Sequence, residues 1–251
     1  MIGIKVVLMN PIAKSQLAPS GVLKVAIFTG NYLLVTGSDA NGTPQGVSPD
    51  LAHALASSLG VPASLSSYAN QVEAVDSVVA GVNDIVLIGS DPVRAQKIDF
   101  SPAYVEIEAT YLVPADSIFQ DIAEVDSSGV RISVWGVSAY GLALERIIKN
   151  AHIVKAKDEA EAFNTFVEAH LEALAGLRSG LLKEQLSIPG SRVLDGKFAE
   201  IQQAIGIAKG KPEALRYLHN FIELSKASGF ISDLIAKHQV VGLSIAAPVD
   251  Q

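Results

Sequence analysis

The feature that most constrains this chain is a strand–turn–helix cycle that runs, stops and restarts. Residues 22–28 are a short, apolar, β-branched run, which reads as a buried strand. Ser38-Asp-Ala-Asn-Gly-Thr-Pro44 is a loop or hairpin tip by its Asn-Gly and its proline. A helix then begins with Ser48 as cap and Pro49 in its first turn. Leu51, Ala54, Leu55 and Leu59 form its apolar stripe, and Gly60 ends it. Residues 63–67 alternate weakly as a strand. Val72, Val75, Val78 and Val79 mark a second helix, stopped by Gly81, and residues 85–88 form the next buried strand. Strands alternating with helices predict an α/β fold with a largely parallel sheet.

The cycle breaks after a strand at 108–113. An acidic loop follows over 116–129, and a second cycle starts at residues 130–135. Ser138 caps a helix over 140–149. A short strand at 153–154 and a helix over 158–168 come next. Residues 169–177 fit a strand or a helix end, and 181–194 fit no single period. A strand at 201–208, a turn at 209–212 and amphipathic helices over 213–226 and 231–237 complete the chain, with Gly229 between the helices and an irregular tail after them. Residues 1–20 have no clear period and read as an irregular arm or leftover leader, and the Lys-interrupted apolar run within residues 1–10 is too short for a convincing signal peptide.

Composition narrows the function. The chain has 251 residues, 49% hydrophobic and 18% charged, enough to bury a sizeable core. Its net charge of -7, with no Lys/Arg-rich run, argues against nucleic acid and anionic membranes as partners. There is no cysteine, so disulfides, Cys-ligated zinc and thiol nucleophiles are excluded. The five histidines (53, 152, 170, 219, 238) are scattered, and no metal site or cofactor is expected. Nucleophile-elbow, Walker, dinucleotide-binding and His-Glu-x-x-His motifs are all missing, so no catalytic residue is assigned.

The most informative stretch runs from Asp84 to Tyr104. Gly89 ends its strand, Ser90 or Asp91 can cap a helix, and Pro92 suits the first turn. Arg94 falls in that turn, where a cation opposes the helix dipole. Two explanations stay open at this point. Either an anion binds between the guanidinium and the helix N-terminus, or Arg94 pairs with a surface acid.

Five motifs, in order, resemble the bacterial family 3 extracellular solute-binding proteins, the amino-acid type of type II periplasmic binding protein. Gly46-Val-Ser-Pro-Asp-Leu51 is similar to the family's Gly-Phe-Asp-x-Asp-Leu. Gly81-Val-Asn-Asp84 is similar to Gly-Lys-x-Asp. Arg94-Ala-Gln-Lys-Ile-Asp-Phe-Ser101 follows Arg-x-x-x-x-Asp-Phe-Ser, the most specific of the five. Gly206-Ile-Ala-Lys-Gly-Lys-Pro-Glu213 resembles a slightly longer Gly-Ile-Ala region, and Lys226-Ala-Ser-Gly-Phe230 resembles Lys-x-x-Gly-Thr. The resemblance covers about residues 20–238. It implies two α/β lobes with mixed, largely parallel sheets joined by two hinge strands, residues 1–112 and 206–251 in one lobe and 113–205 in the other, closing on a ligand in the cleft. It further implies a monomeric receptor of an ABC importer, with a membrane permease as partner and a periplasmic or extracellular location.

The resemblance also assigns roles. Arg94 corresponds to the arginine that grips the ligand's carboxylate, and Gly89 and Ser90 to strand-end donors, although the chain is about two residues shorter here than the family pattern. Ser138 matches a threonine of a ligand-binding loop, against the plain reading of an ordinary N-cap. Tyr32, Tyr68 and Trp135 are candidate pocket walls, each set against simple packing. One departure stands out. The family's Asp-Ala-x-x-Gly-Asp run, whose last Asp meets the ligand's ammonium, is Glu172-Ala-Leu-Ala-Gly-Leu177 here, so Leu177 replaces the acid. The expectation is a binding protein for a small carboxylate, with an ammonium excluded unless Glu172, Glu106 or another acid reaches it. Two alternatives remain: a cyclohexadienyl dehydratase-like enzyme using Glu168 or Glu172 as its acid, and a sensory domain that has lost its ligand.

Overall fold

The computed structural model describes residues 10–249. The reading of residues 1–9 as an arm or leader lies outside the described residues. From residue 10 onward the arm is not irregular. Asn10 caps helix α1 (Pro11–Leu17): its Oδ1 accepts the Ile12 N–H at 3.0 Å, and Pro11 occupies the first turn. Ala13 and Leu17, four apart, are buried. Gln16 and Asn10 tie the helix to the later residues Ala214 and Glu213.

The chain continues through β1 (Leu23–Phe28), the two-residue strands β2 (Gly37–Ser38) and β3 (Pro44–Gln45), α2 (Val47–Ser58), β4 (Ala63–Tyr68), α3 (Gln71–Val79), β5 (Ile85–Gly89), β6 (Ile98–Phe100) and β7 (Val105–Val113). It then forms β8 (Arg131–Trp135), α4 (Ala139–Ile147), β9 (His152–Ala156), α5 (Glu159–Glu168), β10 (Ala173–Leu177), α6 (Arg178–Gln185), β11 (Arg192–Val193) and β12 (Ala199–Ala208). Helices α7 (Pro212–Ala227) and α8 (Phe230–Lys237) and strand β13 (Ser244–Ile245) follow. The described residues divide into two compact units: those up to Glu106 together with those from Gln202 onward, and Ile107–Ile201. No helix among them is long and apolar enough to cross a membrane.

In the first unit β4, β1 and β5 are parallel neighbours in that order, and β12 runs antiparallel beside β5. All five residues of β5 are buried, as a central strand covered on both faces requires. The pleat divides them. Ile85 and Leu87, with Val25 and Ile27 of β1, enter a cluster with α2, α7 and α8, whereas Val86, Ile88 and Ala26 meet Ala74, Val75 and Val78 of α3. Each such fully buried aliphatic side chain contributes about 1.5–3 kcal/mol relative to exposure.

In the second unit β9, β8 and β10 are parallel, with β7 antiparallel to β10 and β11 antiparallel to β7. Leu112, Phe166, Leu171, Leu174 and Leu181 form its core.

Four local expectations need correction. Ser48 is not a cap: α2 starts at Val47 after Gly46, whose φ is 145° and where a Cβ would stand 2.3 Å from the Leu34 carbonyl. Ser48 is instead buried, its Oγ 2.8 Å from the Tyr104 hydroxyl. After β5 there is only a 3-10 turn over Arg94–Gln96, because the chain turns at once into β6, which pairs with β12. The open stretch 181–194 holds the end of α6, and then β11. The tail is not wholly irregular: β13 pairs with Val105 and Glu106, and Lys226 Nζ donates to the Ala247 carbonyl at 2.9 Å.

Candidate ligand-binding site

Parallel strands place their carboxyl ends on one edge, where ligands of open α/β sheets bind. In the first unit that edge carries the ends of β1, β4 and β5, with Phe28 beside Tyr68 and Gly89 at the tip of β5. Arg94 is drawn into this edge and is only 7% exposed. Its Nη1 donates to the Gly89 carbonyl at 2.5 Å and its Nη2 to Gln71 Oε1 at 2.7 Å. Burial pulls the guanidinium down to about 10, with the nearby Asp91 charge opposing the fall, so it is a cation at neutral pH. A single 3-10 turn has little dipole. Burial, these two bonds and the nearby Asp91 charge, rather than a helix N-terminus, shape the environment of Arg94.

The turn is set by Asp91, whose Oδ1 accepts the Val93 N–H at 2.7 Å. Gln71 starts α3 and is buried. Asn70 caps that helix by accepting from Val72 and Glu73. No sequence signal distinguishes Gln71 from any polar residue in a first turn.

The other expected donors are engaged within the unit. The Ser90 N–H and hydroxyl both donate to the Gln202 carbonyl, at 2.7 and 3.3 Å. Gly89 offers its carbonyl to Arg94. The Tyr68 hydroxyl accepts from Asn83 Nδ2 at 2.8 Å, and its ring packs on the α3 cluster, the ordinary role for a half-buried tyrosine. Tyr32 is half-buried in the turn after β1.

In the second unit Trp135, Ala156 and Leu177 end the parallel strands β8, β9 and β10. Ser138 is the N-cap of α4: its Oγ accepts the Gly141 N–H at 2.9 Å and donates to the Trp135 carbonyl at 2.7 Å. A Cβ at Gly141 would lie 2.4 Å from that carbonyl, so only glycine fits the turn. Leu177 is buried at the N-cap of α6 and offers no side-chain acceptor. Arg178, next to it, donates from Nε to Glu108 Oε2 at 2.7 Å and from Nη1 and Nη2 to the Leu194 and Gly196 carbonyls. Its charge is committed to the fold.

Two other acids are accounted for. Glu172 precedes β10, at the opposite end from Leu177, and is bound by Arg131. Glu106 accepts from Gln202 Nε2 at 2.9 Å. A cavity of about 510 Å³ in the second unit, lined by Phe119, Phe166, Leu171 and Ile188, lies beside Glu172 and includes none of Trp135, Ser138 or Leu177.

A model of the bacterial extracellular solute-binding proteins, family 3, matches residues 23–240. The chain belongs to that family. As a family 3 solute-binding protein it also shares its fold with solved structures. One is an ancestral amino acid-binding protein, AncCDT-1, a precursor of cyclohexadienyl dehydratase, with a TM-score of 0.71, 24% identity and coverage of 89% of this chain and 97% of that one. A binding component of an ABC transporter from Wolinella succinogenes, complexed with lysine, has a TM-score of 0.71 and 20% identity over 87% of this chain and 95% of that one. A mutant of ArgBP from T. maritima has a TM-score of 0.69 and 18% identity over 90% and 99%. At these identities the likeness shows the type II periplasmic binding fold. No curated protein matches the sequence.

Proposed function

We propose that this solute-binding protein captures a small carboxylate that lacks an α-ammonium, as the receptor of an ABC importer in the periplasm or at the cell exterior. Arg94 takes the carboxylate, and the two units, between which the chain divides at residues 106/107 and 201/202, serve as its lobes. The observation that carries this reading is Leu177. Where the family resemblance puts the ammonium's acid, this chain has a buried leucine beside an arginine already paired with Glu108. Neither Glu172 nor Glu106, the acids that could have compensated, is idle. A buried, unpaired ammonium costs several kcal/mol, so ordinary amino acids are disfavoured. Tyr32 and Trp135 suit an apolar or aromatic body on the carboxylate.

The dehydratase alternative draws on the description of AncCDT-1 as a precursor of such an enzyme. It needs a proton donor. Hydrogen bonds from Arg131 hold the Glu172 carboxyl below its ordinary range, and Glu168 is exposed at the end of α5, which favours the binding reading.

A thermal-shift panel tests the proposal by setting common amino acids against their 2-oxo and 2-hydroxy counterparts and simple aromatic acids. Deaminated acids should bind at least ~100-fold more tightly than their amino acids. Stabilisation by an amino acid alone would show that the ammonium site has moved to another acid. Turnover of prephenate or arogenate would establish the enzyme, and silence across the panel would favour a sensory domain.

A further inference from the structure

The cavity of about 510 Å³ in the second unit lies away from the strand ends described above. Glu172, which lines it, precedes β10, so that five-residue strand, roughly 16 Å long, runs from the cavity to the edge at Leu177. Phe119, Phe166, Leu171 and Ile188 give it an apolar lining. Phe166 and Leu171 belong to the core of the unit, and Ile188 packs against it. Protein interiors are close-packed, so a volume of this size has to be held open. Two arginines fix its walls. Arg192 Nη2 donates to the Ser117 and Phe119 carbonyls, both at 3.0 Å. Arg131 Nη2 donates to the carbonyl of His170, a lining residue whose φ is 48°. Backbone strain of this kind persists only where the surroundings enforce it, and it gathers at ligand sites. Ile118, 83% exposed, and Val167, 42% exposed, add apolar surface at the mouth.

The polar groups select the kind of molecule that fits. Asp116 and Glu172 are carboxylates and only accept, while Ser117 and a neutral His170 ring can donate or accept. Among the described residues no lysine or arginine lines the cavity. Arg131 places its donors on the Glu172 carboxylate and on the Ala169 and His170 carbonyls. An anion entering here would meet the Asp116 charge, whereas a hydroxyl or N–H would find a carboxylate to bond. The volume falls in the ~300–1,000 Å³ range of small-molecule sites. We propose that this cavity is a second ligand site, for an uncharged aromatic molecule that donates a hydrogen bond. Its residues are not those of the Arg94 edge, and the inference does not depend on the carboxylate reading.

The test is calorimetry of the whole chain at neutral pH, read together with the methyl NMR signals of Ile118 and Val167. The probes are 2-naphthol, its methyl ether 2-methoxynaphthalene, which lacks the donor, and 2-naphthoate, which carries an anion. 2-Naphthoate is measured in Arg94→Ala, so that the first-unit edge does not take it. 2-Naphthol should bind and shift both sets of methyl signals. The ether and the carboxylate should each bind at least ~10-fold more weakly, the loss expected when a hydrogen bond to a charged acceptor is removed. Val167→Trp, at an exposed helix position, should fill the mouth and weaken 2-naphthol by at least ~10-fold, and Ile118→Ser should weaken it in the same direction. Should Val167→Trp fail to fold, Ile118→Ser and the methyl shifts decide. Binding that moves neither set of methyls, or that the folded mouth variants leave unchanged, would place the molecule elsewhere and overturn the proposal. Equal affinity for 2-naphthol and its ether, or no binding of 2-naphthol by the native protein, would overturn it as well.

Discussion

Arg131 holds Glu172 from two directions: its Nε and Nη2 lie 2.9 and 2.7 Å from the two carboxylate oxygens, and its own backbone N–H lies 2.8 Å from Oε2. The same guanidinium donates to the His170 carbonyl at 2.7 Å, and His170 has a φ of 48°, a left-handed conformation unfavourable for a side chain of its size. One arginine at the start of β8 thus holds the strained turn that feeds β10. It also keeps Glu172 ionised and away from the edge that carries Leu177.

Glu172 should make stability depend on acid. Its folded-state value is depressed below the ordinary 4.5, chiefly by the Arg131 hydrogen bond. A depressed carboxylate contributes its stability above the unfolded value and loses it as pH falls through the folded one. Glu172→Gln should therefore lower the Tm at pH 7, and the gap to the native protein should close as pH falls below 4.5. Circular dichroism melts across that range read it out, and a gap independent of pH would contradict the assignment.

Arg94→Ala should weaken carboxylate binding by about 2–5 kcal/mol, the loss typical of a desolvated charge-assisted pair. Arg94→Lys should rescue little, because an ammonium cannot reproduce the planar fork of a guanidinium. Because the cation is the binding form and titrates near 10, affinity should be flat from neutral pH and decline as pH rises through about 10. Calorimetry with the best carboxylate of the thermal-shift panel measures all three.

Leu177→Asp should restore a partner for an ammonium. The position is the N-cap of α6 and lacks a side-chain cap, so an aspartate also suits the helix. Competition binding between an amino acid and its 2-oxo acid should shift by at least ~10-fold toward the amino acid. An unchanged preference would mean that position 177 does not meet the ligand.

Ser48 and Tyr104 form a buried hydroxyl pair. Ser48→Ala strands the tyrosine hydroxyl and should cost about 1–3 kcal/mol in urea unfolding. Adding Tyr104→Phe removes the stranded group and should recover part of that loss. Additive losses would show that the pair is not coupled.

Local pattern was enough to place most of the elements. Leu23–Phe28 and Ile85–Gly89 have the β-branched density of central strands, and Asn70, Ser138 and Asp158 cap the helices they precede. The short helix α6 escaped notice because only Gly180 and Leu181 of it are buried, too few to impose a period. Helix α1 was missed although Asn10-Pro11 is a helix start. Its docking on α7 comes from residues about 200 positions away, such as Glu213 on Asn10.

The chemistry divides along the same line. Sequence alone determined that the chain alternates strands and helices and that it belongs with the family 3 solute-binding proteins, and it raised the expectation that Leu177 stands where the family has an acid, because each of these is written in neighbouring residues. Only the tertiary structure decided that Ser48 bonds Tyr104, that Ser90 spends its donors on Gln202, that Arg131 ties up Glu172, and that Gln71 accepts from Arg94. The physical reason is that a buried polar group is defined by the partner that repays its desolvation. In every one of these cases the partner lies at least 23 residues away in the chain.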